Sequence, residues 1–273
     1  MNACTDRYFE RQGLPRLRYR DDGQGPAVLL VHGWLLDLTM FDSLVPRLVD
    51  AKFRVVRWDR RGCGASSGTP SVIADAADAL ALLEQLDATS YAVLGMSQGC
   101  RIALALAESV AHPAACLVLD GPPPIEGLPN RDWHDETPLA AYRQLLHERG
   151  IEALRGELAR HPLLQLQTDN VEARARLAAL LARYTGADVL AEGGLPSDVP
   201  ADRFARLGLP VLVLNGELDT AQRLQVGETL ALAIPGATRR IVPASRHLAC
   251  WDNPVAYARL VTEYLATNRH RWA

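Results

Sequence analysis

The order of elements along the chain predicts an α/β protein built on a mostly parallel sheet, and three observations carry that expectation. Apolar runs such as Ala27-Val28-Leu29-Leu30-Val31 are continuous rather than alternating, the pattern of a strand covered on both faces. Segments with helical spacing stand between those runs. Polar loops rich in Gly, Ser, Asp and His follow the carboxyl ends of the runs, where open α/β sheets gather their reactive groups.

Taken in order, Arg7 to Asp22 reads as two short strands, closed by the turn Asp22-Gly23-Gln24-Gly25-Pro26. The buried run Ala27 to Val31 stops at His32-Gly33-Trp34. A helix is expected from about Thr39 to Asp50, with Phe41, Leu44, Val45 and Leu48 on one face. Phe53 to Trp58 is the next strand, ending in Asp59-Arg60-Arg61-Gly62. Ser71 is placed to cap a helix running to about Leu86, with Ile73, Ala77, Leu80 and Leu83 facing inward. Tyr91 to Leu94 is a strand, Ile102 to Ala107 a helix of small residues, and Ala115 to Leu119 a further buried strand ending at Asp120-Gly121.

From Pro122 to about Leu207 the rhythm changes. Three prolines are followed by helical pieces at Leu139 to His147, Ile151 to Arg160 and Val171 to Tyr184, without a convincing strand. This stretch, 122–207, reads as an inserted helical cap between two parts of one core, 1–121 and 208–273. The sheet resumes at Pro210 to Leu214. A helix from Ala221 to Ala233, a short strand from Arg239 to Val242, a loop carrying His247 and a closing helix from Pro254 to about Ala266 complete the chain.

The stretch that organises the rest is Gly95-Met96-Ser97-Gln98-Gly99, which lies between a strand and a helix. A sharp turn there forces its apex residue into a strained backbone conformation, tolerable when the residues two positions to either side lack bulk. The hydroxyl of Ser97 is thereby lifted clear of the sheet edge, beside the free N–H groups of a helix N-terminus.

Composition narrows the chemistry. With 273 residues, 48% of them hydrophobic, the chain can bury one large core. The net charge of −3, with acids and bases interspersed, offers no basic face for nucleic acid and no polybasic membrane anchor. No apolar run approaches the roughly 20 residues of a membrane span, and Met1 to Gly13 lacks the apolar centre of a signal peptide, so a cytoplasmic protein is expected. Cys4, Cys63, Cys100, Cys116 and Cys250 are scattered without metal or disulfide spacing, which fits reduced thiols. Neither a metal nor a cofactor is expected. Lys52 is the only lysine and sits on a polar turn, which removes Ser–Lys and Schiff-base chemistry.

A serine needs a base to take its proton. Of the seven histidines, His247 alone lies in a loop after the last expected strand, where the chain order Ser, Asp, His puts that base. His112 ends the elbow helix, His270 lies in the tail, His134, His147 and His161 belong to the insertion, and His32 follows an early strand. Asp219 is favoured on chain order as the acid that orients His247; Asp120 and Glu217 are rivals, or plain loop carboxylates. The developing oxyanion needs two donors, for which the backbone N–H groups of Gln98 and Trp34 are the candidates. The side chains of Trp34, Leu35, Met96, Trp133 and Tyr142 are candidate pocket residues, as are His134 and Leu163. Packing explains Trp34 and Leu35 equally well. Arg131, Arg143 and Arg155 suit either an anionic acyl group or a solvated helix face.

The sequence resembles the α/β-hydrolase superfamily across nearly its whole length. His32-Gly33-Trp34, Asp59-Arg60-Arg61-Gly62-Cys63-Gly64-Ala65-Ser66, Gly95-Met96-Ser97-Gln98-Gly99, Asn215-Gly216-Glu217-Leu218-Asp219 and Ser245-Arg246-His247-Leu248 occur in the family's order and at similar spacing. The resemblance implies an eight-stranded, mostly parallel sheet with helices on both faces, a cap after the sixth strand, and Ser97, Asp219 and His247 as a catalytic triad. The stretch from His32 to Asp37, with Asp59 to Gly62, looks most like bacterial aryl esterases and cofactor-free perhydrolases. Two departures stand out: Gln98-Gly99-Cys100 replaces the usual Met-Gly-Gly, and Cys63 occupies a place where His, Phe or Tyr is common.

The leading expectation is therefore a serine hydrolase acting on a small-molecule carboxylic ester or lactone through an acyl-serine intermediate. A cofactor-free oxygenase or perhydrolase on the same fold is the alternative, and a non-catalytic ligand receptor is the third reading.

Overall fold

The computed structural model describes residues 5–88, 90–109, 114–129, 133–191 and 202–272. Cys4, His112 and Arg131, singled out above, lie outside the described residues. Eight strands form one sheet in the order β1-β2-β4-β3-β5-β6-β7-β8. They are β1 (Arg7–Phe9), β2 (Leu17–Asp22), β3 (Ala27–Val31), β4 (Arg54–Trp58), β5 (Tyr91–Met96), β6 (Leu117–Asp120), β7 (Val211–Gly216) and β8 (Thr238–Val242). The pairings β1–β2 and β2–β4 are antiparallel and all others are parallel. The helices are α1 (Val45–Asp50), α2 (Val72–Gln85), α3 (Gly99–Ala107), α4 (Leu139–Leu158), α5 (Val171–Arg183), α6 (Ala187–Leu190), α7 (Ala221–Ala233), α8 (Ala249–Asp252) and α9 (Pro254–Thr267).

Why the central strands read as unbroken apolar runs is seen in β3, where every residue is buried. Successive side chains alternate between faces. Val28 and Leu30 join a core with Leu48 of α1 and Val261 of α9. Leu29 and Val31 enter a second core with Leu82 of α2, Ile102 of α3 and Leu230 of α7. Both faces are covered, so no position on β3 tolerates a polar side chain. The parallel register sets Val31 beside Gly95 and Met96 beside Asp120, which brings the loops after β3, β5 and β6 to one edge.

Two expectations are corrected. The helix expected from Thr39 to Asp50 is split into a short 3-10 turn, Leu38–Phe41, and α1, which carries Pro46 in its first turn. Proline lacks the N–H a continuous helix would require of it, and it disfavours helical backbone in the residue before it. On α2 the inward face is not Ile73 and Ala77, both exposed, but Asp75, Asp78, Ala79, Leu82 and Leu83. The two aspartates are buried because arginines meet them there: Arg61 grips Asp78 at 2.6 and 2.8 Å, and Arg60 lies 3.6 Å from Asp75. A search for an apolar stripe cannot see a face built on ion pairs.

Between β6 and β7 the described chain is helical. α4 is broken at Gly150, whose φ of 77° and ψ of 178° lie outside helical space, matching the two pieces read from the sequence. Arg143 and Arg155 tie this stretch to itself. Arg143 donates to the carbonyls of Val189 and Ala191, and Arg155 to that of Tyr184. The segment before α4 is latched to α7 through Glu136, which accepts from Arg223 at 2.6 Å. Among the described residues no helix is long and apolar enough to cross a membrane.

Candidate active site

Ser97 stands at the junction of β5 and α3 with φ of 51°, one of few non-glycine residues in left-handed space. The flanking glycines are required by contact as well as by strain. A Cβ on Gly95 would lie 2.3 Å from the Gly99 carbonyl oxygen, and a Cβ on Gly99 would lie 2.4 Å from that of Val31. The bend is held by the Ser97 N–H donating to the Asp120 carbonyl at 2.7 Å and by the Cys100 N–H donating to the Ser97 carbonyl at 2.9 Å. Ser97 is 7% exposed, so its surroundings are close to dry.

His247 lies in the loop between β8 and α8 and lines the same chamber as Ser97. Its Nδ1 is 3.1 Å and 3.2 Å from the two carboxylate oxygens of Asp219, which follows β7. Asp219 Oδ1 also accepts the Thr220 N–H at 2.8 Å, which fixes the carboxylate. With Nδ1 as the donor to Asp219, Nε2 is left as the basic nitrogen. The two rival acids have other partners. Asp120 Oδ2 accepts the Tyr257 hydroxyl at 2.9 Å, and Glu217 accepts the Ala244 N–H at 2.8 Å. Burial, with the Asp219 charge adding to it, pushes the Asp120 carboxyl up to about 7.

The loop after β3 approaches the elbow from the other side: a Cβ on Gly33 would lie 3.2 Å from the Cβ of Ser97. Among the described residues neither the Trp34 N–H nor the Gln98 N–H donates to a protein acceptor. His32 sets this loop. Its Nδ1–H donates to the Gly33 carbonyl at 2.9 Å, while Nε2 accepts the Arg60 N–H at 3.0 Å. Complete burial, and next the Arg60 charge, push His32 down to about 3, so it is a neutral strut. Among the described residues cysteine offers no rival nucleophile, because burial pushes Cys63 and Cys116 up to about 12 and raises Cys100 and Cys250 as well.

The chamber over Ser97 is small, about 90 Å³, with an apolar lining of Trp34, Leu36, Met96, Leu163, Leu164 and Leu248. It adjoins an outer vestibule of about 840 Å³, with which it shares Gln98, Arg101, Leu139 and Asp188 as walls. Trp133 and His134 line the vestibule. Tyr142 stacks on Trp34, with ring centroids 6.0 Å apart and planes 10° from parallel, so it backs the chamber wall. Leu35, with φ of 66°, faces a neighbouring cavity alongside Cys63 and Tyr184.

A model of the alpha/beta hydrolase fold family matches residues 26–254, most of the chain. The protein belongs to the α/β-hydrolase fold family. Two relatives cover nearly its full length. The pimeloyl-[acyl-carrier protein] methyl ester esterase of Pectobacterium atrosepticum is 29% identical over 92% of this chain and 99% of its own. The 2-hydroxy-6-oxononadienedioate/2-hydroxy-6-oxononatrienedioate hydrolase of Paraburkholderia xenovorans is 25% identical over 97% and 96%. Among solved structures, a bromoperoxidase from Bacillus anthracis superposes with a TM-score of 0.79 at 20% identity, covering 96% of this chain and 100% of that one, a likeness of fold.

Sequence reasoning missed several residues that this α/β hydrolase brings to the site. His161 packs edge-on against Trp34 and Tyr142, and its Nε2 is 2.7 Å from the Glu136 carbonyl oxygen. Arg60 donates to the Gln98 side chain at 2.7 Å. The replacement of an expected methionine by Gln98 was the one signal in the sequence for that contact. Among the described residues no group of three or more His, Cys, Asp or Glu side chains is arranged to hold a metal ion.

Proposed function

We propose that this protein is a serine hydrolase that cleaves a small carboxylic ester or lactone through an acyl-Ser97 intermediate, with 122–207 as the cap that roofs the site. The observation that carries the reading is one chamber lined by both Ser97 and His247, with Asp219 against the far side of the His247 ring. The name of the methyl ester esterase relative supports ester chemistry.

In this mechanism His247 Nε2 takes the proton of Ser97 as Oγ bonds to the substrate carbonyl carbon, and Asp219 stabilises the imidazolium that forms. The carbonyl oxygen becomes an oxyanion and accepts from the Trp34 and Gln98 N–H groups. Donors fixed in advance in a dry pocket stabilise that charge more than mobile water does, and one such donor contributes about 3 kcal/mol. Collapse breaks the bond to the alkoxide, which receives the proton from His247. Water, deprotonated in turn by His247, then attacks the acyl carbon, the bond to Ser97 Oγ breaks to release the acid, and His247 returns the proton to Oγ. The small apolar chamber fits a short acyl or alkyl group, with the larger remainder in the vestibule.

The test is a panel of esters and lactones graded by acyl length, run on wild type and Ser97→Ala. Short-chain turnover by wild type and its loss in Ser97→Ala are expected; undiminished turnover by the variant would overturn the mechanism.

A further inference from the structure

The short helix α8 follows His247 and is anchored from the core side. Ala249, Cys250 and Trp251 are buried, the Trp251 indole N–H donates to the Met40 carbonyl at 2.8 Å, and the Ser43 hydroxyl donates to the Cys250 carbonyl at 3.3 Å. Asp252, the last residue of α8, is partly buried and divides its carboxylate between two other segments. Oδ2 accepts the Arg246 N–H at 2.7 Å, one residue before His247. Oδ1 accepts the N–H groups of Gln167 and Thr168, at 2.7 and 3.0 Å, from the stretch between β6 and β7. The same two segments meet a second time where Arg246 Nε donates to Gln167 Oε1 at 3.4 Å.

Each of these segments carries part of the wall of the Ser97 chamber. The 3-10 turn Pro162–Leu164 ends three residues before Gln167, and its Leu163 and Leu164 line the chamber. His247 and Leu248 line it from the other segment. Gln165 Nε2 donates to the carbonyls of Ala159 and His161, at 2.9 and 3.2 Å, which stiffens the path from that turn to Gln167. Main-chain N–H groups that donate to a carboxylate make short, charge-assisted bonds, and they fix the chain itself rather than the tip of a side chain. Steadying the His247 loop alone would occupy one oxygen. The other oxygen goes to residues 85 and 84 positions away.

We infer that Asp252 is a positioning residue for hydrolysis at Ser97: it holds the loop that carries His247 and the wall made by Leu163 and Leu164 in one register, so the placement of the base and the width of the acyl chamber are set together. The inference rests on the acyl-serine reading. Asp252 does not line the chamber and acts through the two segments that it joins. Because α8 keeps its bonds to Met40 and Ser43 without this carboxylate, a variant at 252 is expected to leave the helix seated.

The experiment measures kcat and KM for p-nitrophenyl acetate and p-nitrophenyl hexanoate on wild type, Asp252→Ala and Asp252→Asn, with rates expressed per site labelled by a fluorophosphonate, so that a loss of folded protein does not count as a loss of rate. Asp252→Ala removes both ties. Its kcat on the acetate is expected to fall about tenfold or more, since about 1 Å of misplacement can cost on the order of 100-fold. With the Leu163–Leu164 wall released, the ratio of kcat/KM for hexanoate to that for acetate should rise about threefold or more. Asp252→Asn keeps the volume of the side chain but only one accepting oxygen, so it should fall between wild type and Asp252→Ala; it also stands as the second variant should Asp252→Ala not fold. A side chain that only filled space or steadied the fold would leave Asp252→Asn like wild type in kcat per site and in the hexanoate-to-acetate ratio, and that result would overturn the inference. A fall in kcat in Asp252→Ala with the ratio unchanged, or a changed ratio with kcat unchanged, would overturn the joint role and leave hydrolysis at Ser97 standing. Failure of wild type to hydrolyse either ester would overturn the acyl-serine reading and the role of Asp252 with it.

Discussion

Gly121 presses on the ring of His247: a Cβ at position 121 would lie 2.8 Å from His247 Cε1 and 3.0 Å from Nδ1. The residue follows β6 with φ of +54° and supplies a flat floor under the His247–Asp219 pair, its would-be Cβ 3.6 Å from Asp219 Oδ2. Gly121→Ala is therefore expected to push the imidazole off Asp219. Because about 1 Å of misplacement of a reacting group can cost on the order of 100-fold, kcat should fall at least about tenfold. The strained backbone should also lower stability by about 1–2 kcal/mol. Steady-state kinetics beside a urea melt separates the two effects; an unchanged kcat would contradict the assigned role of His247.

The two buried aspartates at this edge should differ sharply in their effect on rate. Asp219→Asn removes the acceptor that fixes the His247 tautomer and should lower kcat by about 10³–10⁴-fold. Asp120→Asn, whose carboxyl serves Tyr257, should lower it by less than about tenfold. The reverse ranking would move the orienting acid to the end of β6.

Asp120 also makes a prediction about stability. Burial holds its folded pKa at about 7, whereas in the unfolded chain a carboxyl of this type titrates near 3.9. Between roughly pH 4 and pH 7 the folded protein keeps a proton that the unfolded chain has released, so this group makes stability fall as pH rises and its penalty is complete above pH 7. Asp120→Asn should be more stable than wild type at pH 8, by an amount on the order of a few kcal/mol at most, and the gap should close toward pH 4. Urea unfolding at the two pH values checks it; a gap independent of pH would contradict it.

His32 acts with the opposite sign. Burial holds it neutral down to about pH 3, while an unfolded histidine binds its proton below about 6.5. The unfolded chain therefore carries the extra proton in that window, and stability falls as pH falls through it. The advantage of wild type over His32→Gln should be widest above pH 6.5 and shrink toward pH 3. Chemical denaturation across that range reads the slope, and a constant difference would contradict the neutral-strut role.

The sheet was legible because its signals are local: continuous apolar runs, glycine spacing around Ser97 and a capping serine at position 71, whose Oγ accepts the Ala74 N–H. Chain order indicated Ser97, Asp219 and His247, but which carboxylate lies against His247 depends on loops that meet only in three dimensions. What the sequence concealed is mostly pairing at long range. Asp75 and Asp78 spoil an apolar stripe until Arg60 and Arg61 are seen beside them. Asp188 looks like an ordinary helix-start acid until Arg60, more than a hundred residues away, is seen to line the same vestibule. Tyr142 reads as a pocket residue from its type alone, yet stacking on Trp34 assigns it to the wall behind.

The most direct test of acylation at Ser97 is intact-protein and peptide mass spectrometry of wild type quenched during turnover of p-nitrophenyl acetate. One acetyl group is expected per chain, on the peptide containing Ser97, and none on Ser97→Ala, whose p-nitrophenol burst should also vanish. An acetyl group on another side chain, or a burst undiminished in Ser97→Ala, would contradict the account.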